Sequence, residues 1–197
     1  MNSWAVIPVK ASPESKSRLA KVLDAETRAT LVEAMLARVV QAASEATNIA
    51  RVYLLGAKDA DRFDKVSVLV DPGGGLNAAV QSALAEAVRL GAGRVIFIHA
   101  DLPMVSAQDL ELLAAAPEGE IAIAPDRHEK GTNAISLPLP QAKGFSFAFG
   151  PDSFARHQAE AERLGLRVEE IRSPGLARDV DEPDDLPDAE ALLRRPG

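Results

Sequence analysis

The feature that most restricts how this chain can fold is the run Arg-Val-Ile-Phe-Ile-His at residues 94–99, halted at once by Ala100-Asp101-Leu102-Pro103. Its β-branched and aromatic side chains follow no helical period, so the run is predicted to be a central strand of a sheet. Apolar runs at residues 4–9, 52–55, 66–70 and 121–124 read the same way, with Pro8 suited to the end of the first. Helical patterns separate them. After Asp24, a predicted N-cap, Leu31, Met35, Leu36 and Val39 keep one apolar face. Asn77 is predicted to cap a helix to about Leu90 that ends at Gly91-Ala-Gly93, and Ser106 another through about Ala115. Strand alternating with helix predicts an α/β protein: a three-layer, Rossmann-like, mostly parallel sheet covered by helices on both faces. In such a sheet ligands gather beyond the carboxyl ends of the strands.

The later chain is less regular. Residues 126–133 read as a polar loop, 133–137 as a strand and 141–150 as an aromatic-containing connection. Ser153 is expected to cap a helix to about Leu164, followed by a strand at 168–171 and a closing helix at 184–193. With 197 residues and no repeat, the expectation is one domain, 1–197.

Charge narrows the partners. The formal net charge is -7 and no basic block occurs, which argues against nucleic acid as a ligand. An anionic substrate must then be met by a local cluster of cations, backbone amides or metal. No cysteine is present, so disulfides and thiol nucleophiles are excluded. The opening apolar run is too short to span a membrane and lacks a basic flank, and the expected location is the cytoplasm, with no membrane partner.

Asp101 is the most informative single residue, because the apolar strand before it delivers its carboxylate to the sheet edge. Mg²⁺ is usually held by one or two carboxylates plus substrate phosphates; a loop-capping Asp before Pro103 is the structural alternative, and position alone does not separate them. In Asp179-Val180-Asp181, alternation puts both carboxylates on one side of an extended segment with Val180 inward, which offers a second metal ligand, whereas Asp181 or Asp184 as a helix cap is the alternative. Lys10, Lys16 and Arg18 bring positive charge to the loop after the first strand. Neither GxxxxGK[ST] nor GxGxxG occurs, so this is not a standard phosphate loop. Gly73, Gly74 and Gly75, ahead of Asn77, allow backbone to approach a flat ligand closely. Gly131-Thr132-Asn133 and Phe149-Gly150-Pro151-Asp152-Ser153-Phe154 combine hydroxyls, exposed backbone and a helix N-terminus, suited to phosphate or carboxylate. His99, inside the apolar strand, reads as a packed residue; His128 and His157 have no recognisable nucleophile partner.

Taken together, Val9-Lys10, Lys16-Ser-Arg-Leu19, Asp71-Pro-Gly-Gly-Gly-Leu-Asn77, Ala100-Asp-Leu-Pro103, Ala124-Pro-Asp-Arg127, Gly131-Thr-Asn133, Phe149-Gly-Pro-Asp-Ser-Phe154 and Asp179-Val-Asp181 resemble the guanylyltransferases of deazaflavin coenzyme F-420 biosynthesis. The resemblance runs from about residue 5 to about 186 and implies the nucleotide-diphospho-sugar transferase (type A glycosyltransferase) fold, shared with molybdenum-cofactor guanylyltransferases. It implies that GMP from GTP is joined to phosphoenolpyruvate, 2-phospho-L-lactate or 3-phospho-D-glycerate with Mg²⁺ and release of pyrophosphate. Under it, Thr132, Gly150 and Ser153 match positions for the acid, and Asp101 and Asp181 the metal carboxylates. Gly73, Gly74, Gly75 and Asn77 match the base loop, while Lys16 and Arg18, with Lys10 beside them, match the triphosphate loop. The superfamily's glycine-rich first loop is missing here, a departure this family shares. A molybdenum-cofactor-type or sugar-phosphate nucleotidyltransferase, with a larger acceptor, and a non-catalytic nucleotide-binding regulator are the competing readings. Oligomeric state, monomer or homodimer, stays open.

Overall fold

A computed structural model describes residues 2–9 and 16–193 of the chain. Lys10 lies outside the described residues. The strands are β1 (Ser3–Pro8), β2 (Ile49–Leu55), β3 (Val66–Leu69), β4 (Arg94–Ile98), β5 (Ile121–Pro125), β6 (Thr132–Pro138) and β7 (Val168–Glu170), in one sheet of order β3-β2-β1-β4-β6-β5-β7. The helices are α1 (Ala25–Glu45), α2 (Leu76–Arg89), α3 (Ala107–Ala114), α4 (Ser153–Arg163), the short α5 (Pro174–Ala177) and α6 (Leu186–Leu193). Pairings β1·β2, β1·β4, β2·β3 and β5·β7 are parallel, as the alternation of strand and helix predicts; β6 alone runs against β4 and β5.

The central strands are apolar without interruption because both faces are covered. Ala5, Ile7, Ile96 and Ile98 pack on one side with Val39, Ala43 and Leu110, from α1 and α3. Trp4, Val6, Val95 and Phe97 face the other side, with Val80 and Leu84 of α2 and Phe154 of α4. Each fully buried side chain of this size contributes about 1.5–3 kcal/mol relative to exposure. A third cluster joins Leu19, Leu31, Met35, Val180 and Ala189, stitching the early loop, α1 and the late acidic stretch together at one end of the sheet.

The helix boundaries agree with sequence reasoning in two places and differ in three. Asp24 accepts from the Thr27 amide at 2.7 Å, and Ser106 forms a reciprocal capping box with Asp109. Gly75, not Asn77, is the N-cap of α2: with φ 89° and ψ -179° it occupies a region open essentially to glycine, so the chain enters the helix earlier than an Asn cap would allow. Asp152, in left-handed conformation and giving no side-chain cap, precedes α4, which puts Ser153 inside the first turn. The closing helix divides into a 3-10 turn, Pro183–Asp185, and α6.

Candidate active site

Strand direction gathers the functional residues. β1, β2, β3, β4 and β5 all point their carboxyl ends to the same edge, and antiparallel β6 begins there. Asp101 leaves β4 at this edge, and its carbonyl accepts from the Val180 amide at 3.2 Å. Val180 is fully buried, as the alternation of Asp179-Val180-Asp181 predicts, so the two flanking carboxylates are anchored beside Asp101. On the opposite side Leu19, also fully buried, fixes the 3-10 turn Ser17–Lys21 that follows Lys16.

The Lys16 ammonium sits between two carboxylates, 2.5 Å from Asp101 Oδ2 and 2.7 Å from Asp181 Oδ1. Burial alone would lower the Lys16 pKa, but Asp101 and Asp181 together hold it above its ordinary value. For Asp101, burial works upward and is outweighed by Lys16, with a smaller contribution from His99, so its carboxyl stays below the usual range. Asp179 goes the other way: burial first, then the negative charges of Asp101 and Asp181, raise it. Asp101 Oδ1 is buried and meets no hydrogen-bond donor among the described residues. A buried carboxylate oxygen without a donor is costly unless a cation completes it, which makes this pair of carboxylates a candidate cation site. Among the described residues no group of three or more His, Asp or Glu is arranged to hold a metal ion.

Asp181 owes its position to Asp185, a residue to which the sequence alone assigns no role. Asp185 is buried; its Oδ2 accepts from the amides of both Asp181 and Glu182 at 2.8 Å, and its Oδ1 pairs with Arg127. The late acidic stretch is therefore a built loop, not a helix cap formed by Asp181. Asp185→Asn removes the buried charge that Arg127 pairs with and weakens the grip on the Asp181 amide. We expect turnover to fall by about tenfold with far-UV circular dichroism unchanged, measured as steady-state kcat beside a melting curve.

The second half of the site is the Thr132, Ser153 and Gly150 group. In the β5·β6 ladder Ala124 pairs with Ala134 but Pro125 pairs with Thr132, so Asn133 is an extra residue in the ladder. This bulge changes which face each side chain takes. Asn133 turns to α5 and donates to the Leu176 carbonyl at 2.9 Å and to Asp179 Oδ1 at 3.4 Å. Thr132 turns to α4, where Ser153 Oγ donates to its Oγ1 at 3.4 Å and His157 Nδ1 lies 3.0 Å away. Gly150, at φ 122°, precedes the α4 N-terminus.

The glycine turn stands at the same edge. Gly73, Gly74 and Gly75 have φ of 86°, 89° and 89°, conformations that side chains resist. Asn77 is committed to protein: it accepts from the Phe149 amide at 2.8 Å and donates to the Phe149 carbonyl at 3.1 Å, tying the start of α2 to the segment that carries Gly150. Arg18 is exposed and 3.4 Å from Glu182. His99 packs against Phe149 with ring centroids 5.3 Å apart, as its place in an apolar strand suggests, yet its Nε2 is buried without a partner among the described residues. His128 is exposed beside Arg127. Sequence reasoning missed His157, Asp185 and Asn133; the Ala124-Pro-Asp-Arg127 and Gly131-Thr-Asn133 segments carried two of the signals, but none pointed to His157.

The sequence matches the family described as guanylyl transferase CofC like over residues 3–193. A phosphoenolpyruvate guanylyltransferase of Sphaerobacter thermophilus is 42% identical over 192 residues, covering 94% of this chain and 91% of that protein. A 2-phospho-L-lactate guanylyltransferase of Haloarcula marismortui is 37% identical, covering 97% and 86%. In three dimensions the fold is that of a nucleotide-diphospho-sugar transferase: a crystal structure from Desulfovibrio desulfuricans G20, provisionally assigned to that class, superposes with a TM-score of 0.75 at 17% identity, covering 99% of this chain and 98% of that one. The expectations of a type A fold and of a guanylyl-transferring enzyme both stand, and the chain belongs to the CofC-like guanylyl transferase family.

Proposed function

We propose that this chain transfers GMP from GTP to a small phosphorylated carboxylic acid, of the class formed by phosphoenolpyruvate, 2-phospho-L-lactate and 3-phospho-D-glycerate, in coenzyme F-420 biosynthesis. The observation that carries the reading is the ion cluster at the sheet edge, Lys16 between Asp101 and Asp181 with Asp101 Oδ1 unpartnered among the described residues. Such a cluster meets a triphosphate in an otherwise acidic protein. The names of the relatives supply the acid.

In this reading an oxygen of the acid's phosphate attacks the α-phosphorus of GTP. The bond from that phosphorus to the bridging oxygen breaks, and the electron pair leaves with pyrophosphate. Phosphoryl chemistry of this kind asks the protein for positioning and charge neutralisation rather than covalent help. Asp101 and Asp181 would hold a divalent cation, Mg²⁺, whose contribution is to neutralise phosphate charge. Lys16 and Arg18 steady the departing pyrophosphate, with Lys10 six residues earlier in the sequence. Thr132, Ser153 and the Gly150 backbone at the α4 N-terminus hold the acid. The three-glycine turn, Gly73 to Gly75, lies against the base, and Asn77 fixes that turn to Phe149. GTP and the acid are both charged metabolites, which suits a cytoplasmic enzyme.

GTP labelled at the α-phosphate, incubated with Mg²⁺ and the accepted acid, should place the label in a GMP–acid adduct, and a chelator should stop this until Mg²⁺ is restored. Label appearing only in GMP would contradict the transfer. An adduct forming equally well without divalent metal would remove the role given to Asp101 and Asp181.

A further inference from the structure

His157 is fully buried, 25 residues from Thr132 in sequence, and both of its ring nitrogens are engaged. The Ala148 amide donates to Nε2 at 3.0 Å. A backbone amide can only donate, so Nε2 carries no proton, and the neutral ring carries its proton on Nδ1. Nδ1–H therefore donates to Thr132 Oγ1 at 3.0 Å. Ser153 Oγ, at 3.4 Å, takes the other lone pair. With both lone pairs used, the Thr132 hydroxyl has its own proton left to give, and an anionic ligand accepts protons rather than donating them.

The ring is also the hub of an aromatic cage. Phe145, Phe147 and Phe149 surround it at centroid distances of 5.7, 6.3 and 4.9 Å. Ala148 belongs to the same segment, so the Nε2 contact ties the stretch leading to Gly150 onto α4. Burial drives the ring's pKa down, which keeps the ring neutral at physiological pH and preserves this donor pattern.

We propose that His157 is a positioning residue of the acid site: through Nδ1–H it orients the Thr132 hydroxyl as a donor toward the phosphorylated acid, and through Nε2 it tethers the segment that carries Gly150. The inference rests on the reading that Thr132, Gly150 and Ser153 hold the acid.

Four variants of the full chain test it: Thr132→Val, His157→Gln, His157→Asn and the double variant Thr132→Val/His157→Gln, each assayed for the KM of the acid and the KM of GTP. His157→Gln can still accept from Ala148 but lacks a donor at the Nδ1 position, and should raise the acid KM about tenfold with little change for GTP. His157→Asn places an amide donor near Nδ1 and should restore most of that loss. In the double variant the second change should add little to the first, because both act on one hydroxyl. Equal rises in both KM values, an Asn variant no better than the Gln variant, or full additivity would each overturn the positioning role while leaving the acid site in place. A Thr132→Val variant with an unaltered acid KM would instead overturn the acid-site reading itself. If His157→Gln does not fold, the Thr132→Val and His157→Asn pair still decides: a soluble His157→Asn variant whose GTP and acid KM values rise together counts against the proposal.

Discussion

Asp101→Asn should lower kcat roughly a thousandfold while the protein keeps its fold, the scale seen when a preorganised charge is removed from a charge-developing centre. The substitution retains shape and hydrogen-bonding capacity but removes the charge that faces Lys16 at 2.5 Å and, with it, an Oδ1 that has no donor among the described residues and suits a cation. Lys16 keeps Asp181 as a partner, so the ammonium is not left without an opposing carboxylate. The melting temperature should therefore move far less than the rate. Steady-state rates over a range of Mg²⁺ concentrations, beside thermal melts, check both halves; a variant within a few-fold of the parent rate would take Asp101 out of the reaction.

The second large effect is on stability. Burial, helped by the nearby His99 and opposed by Glu160, lowers the His157 pKa from 6.5 to about 4. In the unfolded chain the ring takes up its proton near the ordinary value. Between about pH 6.5 and pH 4 the unfolded state thus binds more protons than the folded one, and stability falls as pH falls through that window. Below the folded pKa both states are protonated, so this residue causes no further loss. On the scale of 1.36 kcal/mol per pKa unit, the loss from His157 by about pH 4.5 amounts to about 2–3 kcal/mol. Urea unfolding of the parent and of His157→Asn at about pH 7 and about pH 4.5 isolates it, because the carboxylate contributions are common to both proteins. The parent should lose more stability on acidification than the variant. Parallel losses would mean that His157 is already protonated in the folded state or is not buried.

How much of this was legible in sequence depends on whether the determinant was local. β4 and the residue after it could be read directly, since an unbroken apolar run ending in Asp-Leu-Pro has few alternatives to a central strand opening on the sheet edge. The inward Val180 followed from period-two alternation, and it is found fully buried. Lys16 and Asp101 were both expected at one edge, and they meet there. What stayed hidden was tertiary. The direction of β6 is set by its pairing partners, and a seven-residue buried segment looks the same in either orientation. Thr132 faces α4 because of the extra residue at Asn133, and a bulge of this kind leaves no pattern in a single sequence. Asn77 resembles a helix cap until the Phe149 backbone, 72 residues away, is brought to its amide. The sequence offers His157 no nucleophile partner, whereas its partners in the fold are a threonine hydroxyl and a backbone amide from two separate segments.

The most direct test of the account is pyrophosphate release from GTP and Mg²⁺ with phosphoenolpyruvate, 2-phospho-L-lactate or 3-phospho-D-glycerate supplied one at a time. The account predicts release that depends on one of these acids, with GTP alone giving none. No release with any of the three, from protein shown to bind GTP, would contradict it and point to a larger acceptor or to a binding role.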